Sequence, residues 1–230
     1  LGEGLVEHGI DLFIATVQAG RSELSVLRHV VESGRADGVV VPRIGETDER
    51  LQYLLERNFP FVAHGRLLDA SVPYNWLDSD SVVAFGEAFD LLYDLGHRHF
   101  GLVSISDAMT FRHMRERGLR EAMARRGDPN VTLEVASAPR FARGATVAAI
   151  NGLIHREHRP TAILGLFDEL ALTVMEEAAR AGLSIPRDLS AGRLVDVIEK
   201  RSAGPATRLT RPQFVPRASH GPAPPPTTKF

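Results

Sequence analysis

The 230-residue sequence has no cysteine and only two lysines, Lys200 and Lys229, among its 27 basic residues. The absence of cysteine excludes a disulfide framework, a thiolate nucleophile and a cysteine-ligated metal site. No uninterrupted apolar run approaches the roughly 20 residues of a membrane-spanning helix, so we expect no membrane segment. With 43% apolar and 24% charged residues, the composition is typical of a globular protein and excludes disordered and collagen-like chains.

The small net charge of −2 hides an uneven distribution of charge along the chain. Residues 1–190 carry 20 basic and 27 acidic side chains, whereas residues 191–230 carry 7 and 2. An acidic body is a poor electrostatic match for a polyphosphate. We therefore do not expect this stretch of chain to bind nucleic acid by itself.

Apolar runs of strand length alternate with helical periodicities along the chain, which is typical of parallel sheets with crossover helices. The predicted strands are 11–17, 37–41, 59–63, 74–77, 100–105, 132–136 and 161–166. The predicted helices are 22–33, 47–57, 79–95, 110–126, 143–157 and 168–181. The sequence thus predicts an α/β fold with two lobes, each an open parallel sheet with helices on both faces. Ligands are expected at the carboxyl ends of the strands.

Three places depart from this alternation. Leu5 and Val6 before Gly9 are typical of the last turns of a helix, so we expect further residues before Leu1 in the gene. After Ser190 another strand is due, yet the residues from 191 onward have helical spacing. The Pro-rich stretch at 222–226 predicts a disordered tail.

Five short motifs, taken together, resemble the effector-binding core of the LacI/GalR family of bacterial transcription regulators. They are Ala36-Asp37-Gly38-Val39-Val40, Leu95-Gly96-His97-Arg98-His99, Arg115-x-x-Gly118, Arg159-Pro160-Thr161-Ala162 and the run Ala181-Gly182-Leu183-x-Ile185-Pro186-x-Asp188-Leu189-Ser190. Each motif is weak alone, but the five occur in the family's order over nearly the whole chain. The family's helix-turn-helix and first core strand would precede Leu1, and its strand after the Leu-Ser pair is absent between Ser190 and Ala191.

The resemblance implies a two-lobed periplasmic-binding-protein-like fold. Residues 1–96 form its amino-terminal lobe without the first strand, and residues 97–190 form its carboxy-terminal lobe. Residues 191–219 supply a returning helix and a closing strand, and residues 220–230 form the Pro-rich tail. The run from Leu209 to Ser219 resembles the family's closing strand.

The function implied by the resemblance is that of a cytoplasmic, sugar-responsive regulator, a repressor, that binds a small saccharide between its lobes. A homodimer would then control the operator affinity of a DNA-binding headpiece that is not in this chain. We expect no cofactor, no metal, no membrane partner and no catalytic residue. The alternative is a periplasmic sugar-binding protein of a transporter, which shares the fold. An enzyme is a third hypothesis, disfavoured because neither a catalytic triad nor a phosphate-cradling glycine loop is visible.

Seven residues are predicted to contact the ligand: His64, Asp78, Phe111, Arg115, Phe141, Phe167 and Asp168. Arg115 matches the family's ligand arginine, whose planar fork can hold vicinal hydroxyls or a carboxylate; its alternative role is one member of an exposed basic face. Phe141 matches a position that packs on ligand. The family commonly has Asn where Phe167 stands, which favours stacking on a pyranose over hydrogen bonding.

The other predicted ligand residues each have an ordinary structural alternative. Asp168 is either a ligand or hinge contact, or the N-cap of the helix at 168–181. Asp78 accepts a sugar hydroxyl or caps the helix at 79–95 together with Asp80, which we interpret as a cap. Phe111, like Phe141, either packs on ligand or plugs the sheet end, and His64 is a hydroxyl partner or a satisfied loop histidine. His97-x-His99 and His155-x-x-His158 lack a third metal ligand and are interpreted as solvated turns.

Overall fold

The computed structural model describes residues 2–18, 20–69, 73–192, 207–210 and 221–224. Its strands are β1 (Val39–Pro42), β2 (Phe61–His64), β3 (Trp76–Ser79), β4 (His99–Ile105), β5 (Thr132–Ala138), β6 (Ala162–Gly165), β7 (Ser190–Gly192) and β8 (Thr207–Thr210). They form two four-stranded sheets with the orders β1-β2-β3-β8 and β5-β4-β6-β7. Every neighbouring pair is parallel, as the alternation of strands and helices predicts.

The helices are α1 (Gly2–Val6), α2 (Glu23–Glu32), α3 (Glu49–Glu56), α4 (Ser81–Asp94), α5 (Thr110–Arg126), α6 (Arg143–Ile154) and α7 (Asp168–Arg180). Helix α5 has the predicted bounds and ends at Gly127, whose φ of 61° is left-handed. Glycine adopts this conformation without the steric cost that a Cβ would bring. No helix in the described ranges combines the length and apolarity needed to cross a membrane.

The second sheet is covered by helices on both faces, as predicted. On one face, α4 and α5 bury a core against β4 and β6 that includes Phe85, Phe89, Phe100, Leu119 and Leu164. On the other face, α6 and α7 bury Val103, Ile150, Ile163 and Val174, among others. This double coverage explains why β4 is a nearly continuous apolar run with little alternation.

Helix α4 packs on the second sheet, although it precedes residue 96, the predicted end of the first lobe. Its axis comes very close to α5 because Gly118 has no side chain. A Cβ at Gly118 would lie 2.3 Å from the backbone oxygen of Val82. Packing therefore groups α4 with the second lobe, and the chain crosses between the lobes at about residues 79–81.

The first sheet has helices on one face only within the described residues. Helices α2 and α3 pack there on a core that includes Val41, Leu51, Leu54, Ala63 and Tyr74. On the opposite face, the side chains of Val40 and Val62 are 49% and 41% exposed. The expectation of helices on both faces is thus met by the second sheet and not by the described part of the first.

The predicted strand at 11–17 is wrong. The segment has no strand pairing in the described structure, and Leu12, Phe13 and Ile14 are at least half exposed. β-Propensity stabilises a strand only when a neighbour supplies the ladder and a packed face. The first sheet begins at β1, and β1 pairs with β2.

The junction after Ser190 contains the strand that was due, because β7 pairs in parallel with β6. The helical pattern that follows lies in residues 193–200, outside the described residues. The predicted closing strand is described only at β8, which pairs with β3, and its remainder, 211–219, also lies outside them.

Residues 221–224 contradict the prediction of a disordered tail at that point. Gly221 is buried, and its N–H and carbonyl both bond the Ser190 hydroxyl at 3.1 Å. His97, expected in a solvated turn, is fully buried: its Nε2 donates to the Gly221 carbonyl at 2.9 Å, and its Nδ1 lies 2.9 Å from Thr161 Oγ1. Proline content describes the chain's local stiffness and does not reveal such a tertiary anchor.

We expect Gly118→Ala to destabilise the protein by about 1–3 kcal/mol, because the new methyl group would force α4 away from α5. The matched control is Gly152→Ala in α6, where a Cβ meets no atom within 4 Å. That substitution should stabilise the protein by about 0.5–1 kcal/mol through better helix propensity. Urea denaturation of the three proteins measures both values, and equal effects of the two substitutions would contradict the close-packing argument.

Candidate ligand-binding cleft

The carboxyl ends of the two sheets face each other through the loops after β1 and β4. Thr110 donates two hydrogen bonds, from its N–H and its hydroxyl, to the carbonyl of Ile44, both at 3.1 Å. Glu46 N–H donates to the carbonyl of Ala108 at 3.0 Å, and Gly45 forms an antiparallel bridge with Met109. The strand ends that position the predicted ligand residues therefore border one cleft, where open α/β sheets hold their ligands.

Asp78 is a largely buried acidic group on the first-lobe side of this cleft. It lies near the end of β3, its side chain is 14% exposed, and its Oδ2 is 3.5 Å from Arg66 Nε. Burial raises the pKa of Asp78, while the Ser79 N–H and the charges of Arg66, His64 and Arg115 act in the opposite direction. Asp78 is not a helix cap. The structure brings it together with two other predicted ligand residues, His64 and Arg115.

Arg115 is partly buried on α5 and is not a member of an exposed basic face. Its Nη1 donates to the backbone carbonyl of Leu166 at the end of β6, and its Nε lies 3.5 Å from Ser81 Oγ. The guanidinium carbon is 5.1 Å from the ring centre of Phe111. These contacts fix the guanidinium between the ends of β3 and β6.

The three predicted aromatic residues have different surroundings. Phe111 and Phe167 are partly buried and pack against the core between the second sheet and α7. Phe141 is 83% exposed in the loop after β5, and the guanidinium carbon of Arg140 lies 4.4 Å from its ring centre. Phe111 and Phe167 thus partly plug the sheet end, whereas Phe141 offers a free ring face.

Helix caps follow the predictions only in part. Asp80 caps α4 by accepting from Val83 N–H at 3.2 Å, as predicted. Asp168 is not the N-cap of α7: it is exposed at the first helical position, and Phe167 occupies the cap position without a side-chain bond. The side chain of Asp48 caps α3 by accepting from Arg50 N–H at 3.1 Å.

An ion-pair network that the sequence did not reveal holds the loop after β1. Arg50 pairs with Asp48 at 2.6 Å and with Glu23 at 2.5 Å, and it donates to the carbonyl of Arg43 at 2.9 Å. Arg43 has a φ of 58°, a left-handed conformation that costs energy for a residue with a Cβ. The spacing Asp48-x-Arg50 was available in the sequence, but its partner Glu23 lies in another helix.

A second missed cluster joins the two lobes. Glu46 in the loop after β1 contacts His113 Nε2 and lies 3.4 Å from Arg112 Nη2 on α5. The hydrogen bond from His113 and the charges of His113 and Arg112 lower the pKa of Glu46. Arg112, near Arg115 on α5, is therefore part of an inter-lobe contact.

The chemistry available in the cleft is hydrogen bonding, charge pairing and stacking. Its described polar groups donate through guanidinium and imidazole nitrogens and accept through the carboxylate of Asp78. In the described ranges, no group of three histidine, aspartate or glutamate side chains is placed to hold a metal ion. The arrangement suits a polar ligand with several hydroxyl groups.

Comparison with known proteins agrees with this fold. Residues 89–191 match the family of periplasmic binding protein-like domains. The chain is 29% identical over 259 aligned residues to the HTH-type transcriptional regulator AglR of Rhizobium meliloti, covering 97% of this chain and 72% of AglR. It is 28% identical over 138 residues to the HTH-type transcriptional repressor CytR of Escherichia coli, covering 59% of this chain and 39% of CytR.

Among solved structures, a LacI family transcriptional regulator from Enterococcus faecium with bound ribose matches 82% of this chain and 68% of its own, with a TM-score of 0.68 and 20% identity. That similarity shows the fold, and the relatives named above are transcriptional regulators and not enzymes. The five motifs, the parallel two-sheet architecture and these matches agree with one another. The chain has the fold of a periplasmic-binding-protein-like effector domain, and it is similar to transcription regulators of the LacI family.

Proposed function

We propose that the chain is the effector-binding core of a sugar-responsive repressor that binds a small saccharide between its lobes. The observation that carries this proposal is the convergence of Asp78, His64 and Arg115 from both lobes at the strand ends. A saccharide presents hydroxyls that both donate and accept. The ionised Asp78 supplies an acceptor, and the fork of Arg115 supplies donors.

Aromatic rings on the second-lobe side of the cleft support a sugar over a fully polar ligand. Phe141 has an exposed ring face, and Phe111 lies under the guanidinium of Arg115. Pyranose rings carry C–H groups on one face that pack on such rings. The ribose in the Enterococcus faecium regulator is consistent with a sugar in the same fold.

The proposed mechanism is a shift between two arrangements of the lobes. A ligand changes operator affinity only if it binds one arrangement more tightly than the other. The contacts of Thr110 with Ile44 and of Arg112 with Glu46 are made in the arrangement described above and would change on rotation of the lobes. We place the DNA-binding headpiece outside this chain, on a cytoplasmic homodimer that presents two headpieces to two operator half-sites.

The periplasmic sugar-binding protein of a transporter, which has the same fold, is the alternative. It is disfavoured because the curated relatives are transcriptional regulators. An enzymatic role has no support in the cleft, whose described residues include no nucleophile with an adjacent base. The proposal therefore concerns binding and its transmission.

Arg115→Lys tests the ligand arginine. The variant keeps the charge but loses the fork, so it should weaken binding of a neutral saccharide by about 1.5–3 kcal/mol. Calorimetry with a panel of neutral mono- and disaccharides measures the loss. The control is Arg117→Lys, because Arg117 is exposed on α5 and pairs with Glu121 along the helix, whereas Arg112 contacts the first lobe. Equal effects of the two substitutions at unchanged melting temperature would refute the role of Arg115.

Because Asp78 is a titratable ligand residue in the proposed site, we expect the affinity for the sugar to depend on pH. Because burial raises its pKa, lowering the pH from 7 to about 4 protonates Asp78 earlier than an ordinary aspartate. The neutral acid is a weaker hydroxyl acceptor, so sugar affinity should fall about tenfold as the pH is lowered. Asp78→Asn should bind more weakly at pH 7 and show a flatter profile. Asp128→Asn, in which the lost carboxyl lies beside Tyr93 and Arg98, should keep the wild-type profile.

If the effector core and the DNA-binding headpiece are separate domains, the 230-residue chain should form no sequence-specific complex with DNA. A longer gene product with the residues upstream of Leu1 should bind an operator, with an affinity that falls steeply with salt and changes with the sugar. Fluorescence anisotropy with a labelled operator duplex measures both proteins. A tight, sequence-specific complex of the 230-residue chain would overturn the assignment of DNA binding to a separate headpiece.

A further inference from the structure

Arg140 has a guanidinium group with unused hydrogen-bond donors at the edge of the cleft. Its Nε and Nη1 atoms have almost no exposed surface and no hydrogen-bond partner within the described part of the chain. The backbone of its loop is fixed, because Arg140 N–H donates to Asp107 Oδ2 at 2.8 Å and Ala142 N–H donates to the Pro139 carbonyl at 2.9 Å. Shielded donors without an acceptor are unfavourable, so an acceptor that reached this guanidinium would relieve that cost.

The neighbouring arginines of the cleft already have carboxylate partners. Their ion pairs are Arg43 with Glu23 at 2.9 Å, Arg50 with Asp48 at 2.6 Å, Arg66 with Asp78 at 3.5 Å and Arg112 with Glu46 at 3.4 Å. Arg140 makes no such pair among the described residues. Two of its guanidinium nitrogens lack a hydrogen-bond partner there, whereas Arg66 and Arg112 each have one such nitrogen, Nε, in addition to their ion pairs.

The electrostatic surroundings of Arg140 also favour an anion. Burial lowers the pKa of Arg140, and the nearby charges of Arg43 and Arg50 lower it further. The charges of Asp107 and Glu23 act in the opposite direction, but Glu23 is shared between Arg43 and Arg50, and Asp107 accepts the backbone N–H. A bound anion would replace the missing solvation and offset the repulsion between the arginines.

Phe141 adds a second kind of recognition beside the charge. Its ring is 83% exposed, and its centre lies 4.4 Å from the guanidinium carbon of Arg140. An exposed aromatic face suits the C–H face of a sugar ring, and a guanidinium fork suits a carboxylate or a phosphate. The two residues are adjacent in sequence, so one small molecule can engage both.

We propose that Arg140, with Phe141 beside it, binds an anionic substituent of the effector, which is then a sugar acid or a sugar phosphate. This inference rests on the proposed function, because it assumes that a saccharide occupies the cleft. The shared chemistry is a pyranose or furanose that carries a carboxylate or a phosphate group. Arg140 selects this class over the parent neutral sugar.

Calorimetry on the 230-residue chain tests the proposal with matched sets of probes. The sets are glucose, glucuronate and glucose 6-phosphate; galactose, galacturonate and galactose 6-phosphate; and ribose with ribose 5-phosphate, with inorganic phosphate as a further probe. At least one anionic sugar should bind tenfold or more tightly than its neutral parent. The better of the carboxylate and phosphate members identifies the substituent.

Arg140→Gln should reduce that preference at least tenfold and change the affinity for the neutral parent less than twofold. Arg140→Lys should retain the charge but lose the fork, giving an intermediate preference. The control is Arg143→Gln, three residues away, because Arg143 is exposed and already paired with Glu176 at 2.8 Å. It should leave the preference unchanged. Melting temperatures check folding, and if Arg140→Gln does not fold, Arg140→Lys alone must show the reduced preference.

The possible outcomes distinguish failure of this inference from failure of the proposed function. If neutral sugars bind as tightly as their anionic counterparts, or if neither Arg140 variant alters the preference, the inference is wrong and the sugar-binding function stands. If neither neutral nor anionic sugars bind, the proposed function itself fails and the inference fails with it. Binding of inorganic phosphate that depends on Arg140, without a preference among the sugars, also overturns the inference.

Discussion

The carbonyl oxygen of Ile44 accepts two hydrogen bonds from Thr110, and the position of the cleft depends on this contact. It joins the loop after β1 to the start of α5, so the carboxyl ends of the two sheets face each other. Parallel strands direct all their following loops to one edge. Two such edges held together bring side chains that are far apart in sequence, such as Asp78 and Arg115, into one electrostatic environment.

The sequence allowed the helices and most strands to be predicted because their apolar spacing is local. The bounds of α5 follow from its periodicity and Gly127, and Asp80 is recognisable as a cap from its place before an apolar helix. Segment 11–17 has the same apolar composition as a strand. The strand prediction is wrong for this segment because a strand forms only beside another strand, and the sequence of the segment does not show whether such a partner is present.

The candidate residues were predicted less completely than the fold. Strand ends can be located from sequence, so His64, Asp78 and Phe141 fall where expected. Partners cannot be located in the same way: Arg50 binds Glu23 across 27 positions, and His97 binds Gly221 across 124 positions. Arg140 was missed for a related reason. Arg140 stands out because nitrogens of its guanidinium group lack a hydrogen-bond partner in the described structure, and sequence spacing alone does not reveal this.

The inter-lobe contacts also constrain how an effector could act. Glu46 joins Arg112 and His113 across the lobes, and protonated His113 holds Glu46 more strongly than the neutral ring does. These contacts stabilise the described arrangement before any ligand binds. A ligand that binds both lobe arrangements with equal affinity would not shift the equilibrium between them, however tightly it binds. Selective groups must therefore come from both lobes. Asp78 from the first lobe and Arg115 from the second lobe meet this condition. A ligand that contacts both side chains binds most tightly to the arrangement in which their separation matches its own size.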